Sequence, residues 1–285
     1  MKKTATFLAM ALLLGSATAF AGKVVTEDFE KGYTDGEPLR ANAAWFFDEA
    51  KETPTSEDDA GLGKSFGVSN GDREFTWIAQ PLTFGDPKLV SITVGGDWQT
   101  DAEGKLDDDR AGWSISKEKD SSDNTFGVQM DPGGSGEGGM NIEAYWDGAT
   151  FGDDGGRASI VDLPKLKADT WYRLRAKFTK LSATSVKIDV TFTELDADGK
   201  PTGDVISGSI ADTSKLSDEA ENKIPNPGYF TAETVWPLLK NFSNCEGGFD
   251  NAFLEVETTA ETTDEAAPAK AAPVKAAPAK AAPVK

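Results

Sequence analysis

The alternation of apolar and polar residues over short segments is the feature that most constrains how this chain can fold. From residue 23 to 257, short runs rich in Val, Ile, Phe, Thr and Trp recur between breaks rich in Gly, Asp and Pro. Such runs predict an all-β sandwich or barrel, not alternating β/α units. The predicted strands are Val24–Phe29, Ser65–Val68, Phe75–Ala79, Leu89–Val94, Gly112–Ser116, Thr125–Met130, Met140–Trp146, Ala158–Val161, Trp171–Lys180, Val186–Leu195, Val205–Ile210 and Phe249–Val256. Two short helices are predicted, Ser217–Lys223 and Glu233–Leu239.

One predicted hairpin is regular enough to assign its faces. In Trp171–Lys180 the apolar residues and the basic residues fall on opposite sides, and Val186–Leu195 alternates in the same way. A side-chain period of two gives each strand one buried and one solvated face. A turn centred near Ala183 predicts that Lys177 lies opposite Asp189.

The first 21 residues are typical of a bacterial secretory signal. Lys2 and Lys3 precede the apolar run Phe7–Leu14, and Ala19-Phe20-Ala21 forms an A-x-A cleavage site. The run is shorter than the roughly 20 residues that span a bilayer, and no other segment of the mature chain is long and apolar enough. We therefore expect export to the periplasm or beyond the cell, with cleavage after Ala21.

The other end of the chain is a repeat. Residues 266–285 alternate AAPAK and AAPVK, in which a proline at every fifth position prevents a continuous helix. We predict that residues 258–285 form a disordered linker and tail, serving as a spacer or as a cationic tether for anionic envelope polymers or for the protein's own acidic domain. Residues 22–257 are predicted to form one domain.

Composition excludes several classes of function. The chain has no histidine, which removes Ser-His-Asp and Cys-His catalysis and imidazole-ligated zinc. Its single cysteine, Cys245, cannot form an internal disulfide. A net charge of −19 argues against nucleic acid as a partner, because binding to phosphates needs clustered Lys and Arg.

Three segments carry a resemblance to a known family. The opening EDFEKGYTDGEPLRANAAWFF, the strands DTWYRLRAKFT and SVKIDVTFTELDADGKPTG, and the closing GFDNAFLEVE resemble bacterial concanavalin A-like jelly rolls of the laminin-G-like group. The resemblance implies a jelly-roll β-sandwich of two antiparallel sheets. It also implies a carbohydrate-related role, because lectins, carbohydrate-binding modules and glycoside hydrolases share the superfamily.

The function predicted from these features is a secreted, non-catalytic module that binds a glycan or another envelope polymer. One alternative is a glycoside hydrolase, because Glu194-Leu195-Asp196-Ala197-Asp198 is similar to the E-L-D-x-x-E strand of family 16 enzymes. The expected terminal glutamate is missing, and Asp198-Gly199 favours a turn. A hydrolase also needs its carboxylates inside a groove, on the sheet face opposite the core. The other alternative is a structural or adhesive envelope protein; the oligomeric state stays open.

Two neighbouring strands predict where a glycan binds. In Thr125–Asp131 and Met140–Asp147, apolar residues alternate with amides, carboxylates and a tyrosine. If the apolar sets face the core, the others share one outer face, where hydroxyl groups of a sugar find fixed partners and its ring can stack. The predicted contact strip is Gln129, Asn141, Glu143, Tyr145 and Asp147, with Trp98 as a partly exposed rim aromatic.

The resemblance also implies a structural calcium ion. In many jelly rolls the first and last strands are neighbours, and carboxylates near them share the ion. Asp28 and Glu30 near the first strand and Asp250 near the last are placed in this way. Calcium takes six to eight oxygen ligands, so backbone carbonyls and water would complete the shell.

Overall fold

The structure of the protein is a computed structural model that describes residues 20–27, 45–47, 55–58, 65–69, 75–78, 82–104, 110–116, 125–147, 156–183, 185–215, 236–241 and 247–259. Almost all regular structure in these residues is β-strand. The strands are β1 (Phe20–Glu27), β2 (Trp45–Phe47), β3 (Thr55–Asp58), β4 (Ser65–Ser69), β5 (Phe75–Ile78), β6 (Leu89–Gln99), β7 (Ala111–Ser116), β8 (Thr125–Asp131), β9 (Asn141–Asp147), β10 (Gly156–Asp162), β11 (Trp171–Lys180), β12 (Val186–Glu194), β13 (Ile206–Ile210), β14 (Trp236–Asn241) and β15 (Gly247–Thr258).

The strands form two antiparallel sheets. Sheet A has the order β13-β12-β11-β6-β15-β4-β3, and β1 also pairs with β15. Sheet B has the order β10-β9-β8-β7-β14-β5-β2. The chain changes sheet four times between β1 and β6, because β2 and β5 lie in sheet B, then crosses to sheet B after β6, returns after β10, and crosses twice more around β14. This arrangement confirms the predicted all-β sandwich of two antiparallel sheets.

The hydrophobic core lies between the two sheets. Strands β8, β11 and β12 contribute every second side chain, and the most deeply buried large ones among the described residues come from both sheets: Ile92 and Phe192 from sheet A, and Trp113, Ile115, Phe126 and Met130 from sheet B. The rings of Phe126 in β8 and Phe178 in β11 meet edge to face, with centroids 5.7 Å apart. The alternation in the sequence therefore reflects a single apolar layer to which both sheets contribute side chains.

The hairpin of β11 and β12 has the predicted register, with Lys177 opposite Asp189. The ion pairs differ from the register, however. The Lys177 ammonium lies 2.9 Å from Glu257 in β15, and Asp189 pairs with Lys187 in its own strand. Cross-strand position alone does not determine the ion-pair partner of Lys177, because Glu257, two strands away on the far side of β6, is also within reach.

Two predicted elements differ from the structure for identifiable reasons. Strand β6 continues beyond Val94 through Gly95, where a Cβ atom would collide with the ring of Phe253 and the carbonyl oxygen of Leu174. The glycine therefore marks a close approach rather than the end of the strand. The helix predicted at 233–239 is wrong, since Trp236–Asn241 is strand β14.

Strand β14 contains a proline but is still flanked on both sides. Pro237 pairs with Ile115 of β7, whereas β5 pairs only from Leu238 onward, so the missing N–H of Pro237 costs no bond to β5. The other predicted helix, 217–223, lies outside the described residues. Within the described ranges, no helix is long and apolar enough to cross a membrane.

The two ends of the predicted domain meet in one strand pair. Strand β1 begins at Phe20, two residues before the predicted cleavage site, and a register shift separates Ala21 from Val24. Strand β15 continues to Thr258, and the N–H of Thr259 donates to the carbonyl oxygen of Lys88. The ordered chain therefore extends slightly past the predicted domain boundary at residue 257.

Candidate functional site

The predicted contact strip lies on the face of sheet B that points away from the hydrophobic core, here called the outer face. The apolar residues of β8 and β9 belong to the core: Phe126, Val128, Met130, Ile142 and Ala144. Because side chains alternate along a strand, their polar neighbours take the opposite face. The structure thus brings Gln129, Asn141, Glu143 and Tyr145 together on adjacent strands, as predicted.

Residues of four strands form rows across this face. The cross-strand pairs place Ser114, Gly127, Tyr145 and Arg157 in one row, Gly112, Gln129, Glu143 and Ser159 in the next, and Asp131, Asn141 and Asp162 in the third. The hydroxyl groups of Tyr145 and Ser114 are hydrogen bonded. The tyrosine therefore reaches across Gly127, which lies between them.

Gly127 is required for more than this crossing. A Cβ atom at this position would run into the carbonyl oxygen of Trp113 on the neighbouring strand β7. Gly112, in the next row, is confined in the same way by the carbonyl oxygen of Val128. The centre of the outer face therefore has a glycine on each of two adjacent strands, Gly112 and Gly127, flanked by hydroxyl and amide groups.

The middle row is centred on a buried carboxyl group. Gln129 donates through Nε2 to Oε1 of Glu143 over 2.6 Å, and Nε of Arg157 lies 3.6 Å from the same oxygen. Burial raises the pKa of Glu143, and the negative charge of Asp131 raises it further, against the opposing effects of Gln129 and Arg157. The ionised form of Glu143 is thus disfavoured relative to a solvated glutamate.

The third row is held by the loop that joins β8 to β9. Asp131 accepts a hydrogen bond from the N–H of Gly133 at 2.9 Å, and lies 3.5 Å from Nη1 of Arg157 and 3.6 Å from Nε of Arg110. Asn141 donates through Nδ2 to Oγ of Ser159 over 3.3 Å. We call Ser114, Gln129, Asp131, Asn141, Glu143, Tyr145 and Arg157 the outer-face network.

Within the outer-face network, only Arg157 has a side chain that is substantially exposed. Gln129, Asn141, Glu143 and Tyr145 are at most 5% exposed, so the expectation that these side chains are open to solvent is wrong. Among the residues facing outward from the edge strand β10, the side chain of Arg157 is 46% exposed, and Ser159 and Asp162 are also exposed. The side chain of Asp147 lies outside the described residues.

Trp98 is not at a rim. It is 4% exposed and belongs to the hydrophobic core, on β6 of sheet A. Its ring packs against Gly96, where an added Cβ would come within 3.2 Å of it. The prediction of a partly exposed Trp98 was wrong because a tryptophan beside a polar residue in sequence can still point inward in a strand.

The carboxylates considered for a hydrolase form ion pairs and hydrogen bonds in and around a turn. Glu194 ends β12 and lies 2.6 Å from Nζ of Lys167. One oxygen of Asp196 accepts the backbone N–H groups of Asp198 and Lys200, each over 2.9 Å. Together with the positive φ of 73° at Gly199, these bonds define the turn that the sequence favours. This arrangement gives the hydrolase alternative no support.

The predicted calcium ligands are only partly within the described structure. Asp28 and Glu30 lie outside the described residues. Asp250 is 3% exposed, pairs in register with Asp97, and accepts the N–H of Asn251 over 2.6 Å. No group of three or more His, Cys, Asp or Glu residues that could hold a metal occurs in the part of the chain that the structure describes.

Sheet A carries an ion pair that the sequence analysis missed. Asp97 is fully buried, and Arg173 donates to its two oxygens over 2.6 and 2.7 Å. Nδ2 of Asn251, whose φ is 48°, donates to the same carboxylate over 3.0 Å. These bonds tie β6, β11 and β15 together where the pairing of β6 with β15 shifts register. The signal in the sequence was an aspartate inside an otherwise apolar, glycine-containing strand.

Comparison with known proteins gives likenesses in structure only. No family model and no curated protein matches the chain. The structure is similar to alginate lyase Aly36B bound to an alginate tetrasaccharide (9% identity, 82% of this chain and 95% of that chain, TM-score 0.43). It is also similar to the carbohydrate recognition domain of Emp46p (6%, 79% and 97%, 0.40) and to an endo-1,3-β-glucanase from Streptomyces sioyaensis (10%, 84% and 96%, 0.41). These values are too low to transfer a ligand or an activity.

Proposed function

We propose that this protein is a non-catalytic carbohydrate-binding module that acts outside the inner membrane, and that the sugar binds at the β10 edge of the outer face. The observation that carries this proposal is the outer-face network itself. Antiparallel sheets usually show water a polar face of independent side chains. Here carboxyl, amide, hydroxyl and guanidinium groups from four strands are held together, and among them Arg157, on the edge strand β10, is exposed.

Sugars suit such an edge because their hydroxyl groups need donors and acceptors in fixed positions. Arg157 offers donors, Asp162 offers an acceptor, and Ser159 offers both. The buried residues of the predicted strip, Glu143 and Asn141 above all, act mainly by holding these exposed groups in place. Deeper entry of a ligand toward Gln129 and Tyr145 would complete the contact strip.

A steric block at the edge tests the proposal. Ser159→Tyr fills the accessible edge of the outer face, and Ser207→Tyr makes the same change at an exposed position of β13 in sheet A. The full exported protein is run in affinity electrophoresis through gels that contain neutral or acidic polysaccharides. We expect the wild type and the Ser207 variant to be retarded by at least one polysaccharide, and the Ser159 variant to lose about tenfold in affinity.

Thermal melting of both variants checks that they are folded. Retardation of the Ser159 variant equal to that of the wild type would place the sugar elsewhere. Failure of every polysaccharide to retard the wild type would contradict carbohydrate binding, whereas release of reducing sugar would contradict the non-catalytic assignment.

A further inference from the structure

Two of the described arginines that meet buried carboxylates, Arg173 and Arg157, are used in different ways. Arg173 makes two short bonds to Asp97, and its side chain is only 28% exposed, so its donors are committed to the fold. Arg157 meets Asp131 and Glu143 at 3.5 and 3.6 Å, the long end of ion-pair contact, and its side chain is 46% exposed. A guanidinium has five N–H donors, so Arg157 keeps several that point away from these acids.

Arg157 is surrounded by charges of both signs, so an incoming anion has to compete for its donors. Asp131 and Glu143 face it from β8 and β9, and Arg110 stands on the other side of Asp131. With Asp162, this edge has three acids and two bases. Asp162, on the same strand as Arg157, is bound to Oγ of Ser135 over 2.6 Å. Because burial disfavours the charge of Glu143, an incoming anion competes with a carboxylate that already gains little from ionisation.

We propose that the sugar bound at this edge is acidic, and that Arg157 recognises its carboxylate or sulfate group through paired N–H donors. This inference rests on the proposed function and specifies its ligand. A guanidinium matches the geometry of such anions, and one charge-assisted contact is both stronger and more selective than a neutral one. The net charge of −19 disfavours long-range attraction of an acidic polymer, so recognition depends on this local contact.

The test compares each acidic polysaccharide with a neutral partner of the same backbone. Polygalacturonate is paired with its methyl ester to probe a carboxylate, and dextran sulfate is paired with dextran to probe a sulfate. Binding of the full exported protein is measured by isothermal titration calorimetry for the wild type, Arg157→Gln, Arg157→Lys and Arg175→Gln. Arg175 is the control, because it is 43% exposed and ion-paired with Glu255 on sheet A.

We expect one acidic member to bind about 10- to 100-fold more tightly than its neutral partner, and which pair shows this identifies the anion. Arg157→Gln should abolish the preference, and Arg157→Lys should lose most of it, because an ammonium keeps the charge but not the paired donors. Arg175→Gln should keep it. The lysine variant serves as the test if the glutamine variant fails to fold.

Equal affinity for the charged and neutral members of both pairs, or a preference that survives Arg157→Gln, would overturn this inference and leave carbohydrate binding intact. If the wild type binds none of these four polymers, the acidic-sugar inference is wrong. Carbohydrate binding itself is then judged separately, by the wild-type gels of the Ser159 experiment.

Discussion

Replacing Arg173 by methionine is the change whose consequence the structure defines best. The aliphatic part of the side chain remains, while both short hydrogen bonds to Asp97 and the compensating charge are lost. Asp97 is fully buried, and only the amide of Asn251 would still donate to it. Removing one partner of a buried ion pair typically costs about 3–5 kcal/mol, which is a large fraction of the stability of an ordinary domain.

The second half of the experiment separates charge from packing. In the double variant Asp97→Asn/Arg173→Met the unpaired carboxylate at position 97 is removed as well, and the amide at position 97 can still accept from Asn251. We expect this variant to lose only about 1–3 kcal/mol relative to the wild type, less than Arg173→Met alone. The single variant is therefore rescued by a second substitution at the very residue it left unpaired, a result that simple loss of packing does not produce.

The pH dependence of the stability of Arg173→Met provides an independent check. Burial raises the pKa of Asp97 above 3.8, and the hydrogen bonds and charge of Arg173 oppose this rise. The folded state thus holds a proton at Asp97 more tightly than the unfolded chain, so this group's contribution to stability falls as pH rises. Without Arg173 the rise in pKa is larger. The loss in free energy of unfolding caused by Arg173→Met should therefore be largest at neutral pH, and it should shrink as the pH is lowered toward 3.8.

Urea unfolding followed by tryptophan fluorescence gives these free energies, provided that the m-value is unchanged between variants. A loss below about 1 kcal/mol for Arg173→Met would refute the reasoning, as would a double variant no more stable than the single one. Arg175→Met is the matched control. Because Arg175 pairs with the exposed Glu255, its loss should cost about 1 kcal/mol or less.

Four further outcomes are expected. Gly127→Ala should destabilise the protein by about 1–3 kcal/mol in urea, since its Cβ would collide with the neighbouring strand. Gly203→Ala, whose Cβ would make only an ordinary contact with Glu194, should cost less than about 1 kcal/mol. The Ser91 hydroxyl, and then Lys177, lower the pKa of Glu257, so its contribution is present above pH 4.5 and lost as the pH falls further; Ser91→Ala should flatten that part of the pH–stability curve by less than about 1 kcal/mol. Truncation after Thr259 should leave the thermal midpoint within about 2 °C, and loss of cooperative melting would show that the tail belongs to the fold. If the predicted calcium ion binds, the midpoint rises with calcium concentration, and identical melting curves in calcium and in chelator would exclude it at accessible affinities.

What the sequence determined by itself is local and periodic. The alternation within β8, β9, β11 and β12 assigned each side chain to a face, because successive Cβ atoms of a strand point in opposite directions whatever lies around it. It also gave the register of the β11–β12 hairpin, since a short turn leaves few ways to pair two adjacent strands. The turn at Asp198-Gly199 followed from the same kind of local preference.

The tertiary structure decided everything that depends on distant parts of the chain. Alternation placed Glu143 and Tyr145 on the outer face but could not reveal that both side chains are buried there. Lys177 forms an ion pair with Glu257, 80 residues away, and not with the carboxylate opposite it. Asp97 pairs with Arg173, 76 residues away. The side-chain period of two indicates only which side of its own strand a residue lies on. The partner that covers a face or neutralises a charge depends on which strands the topology brings close together. In this sandwich those strands are far apart in sequence.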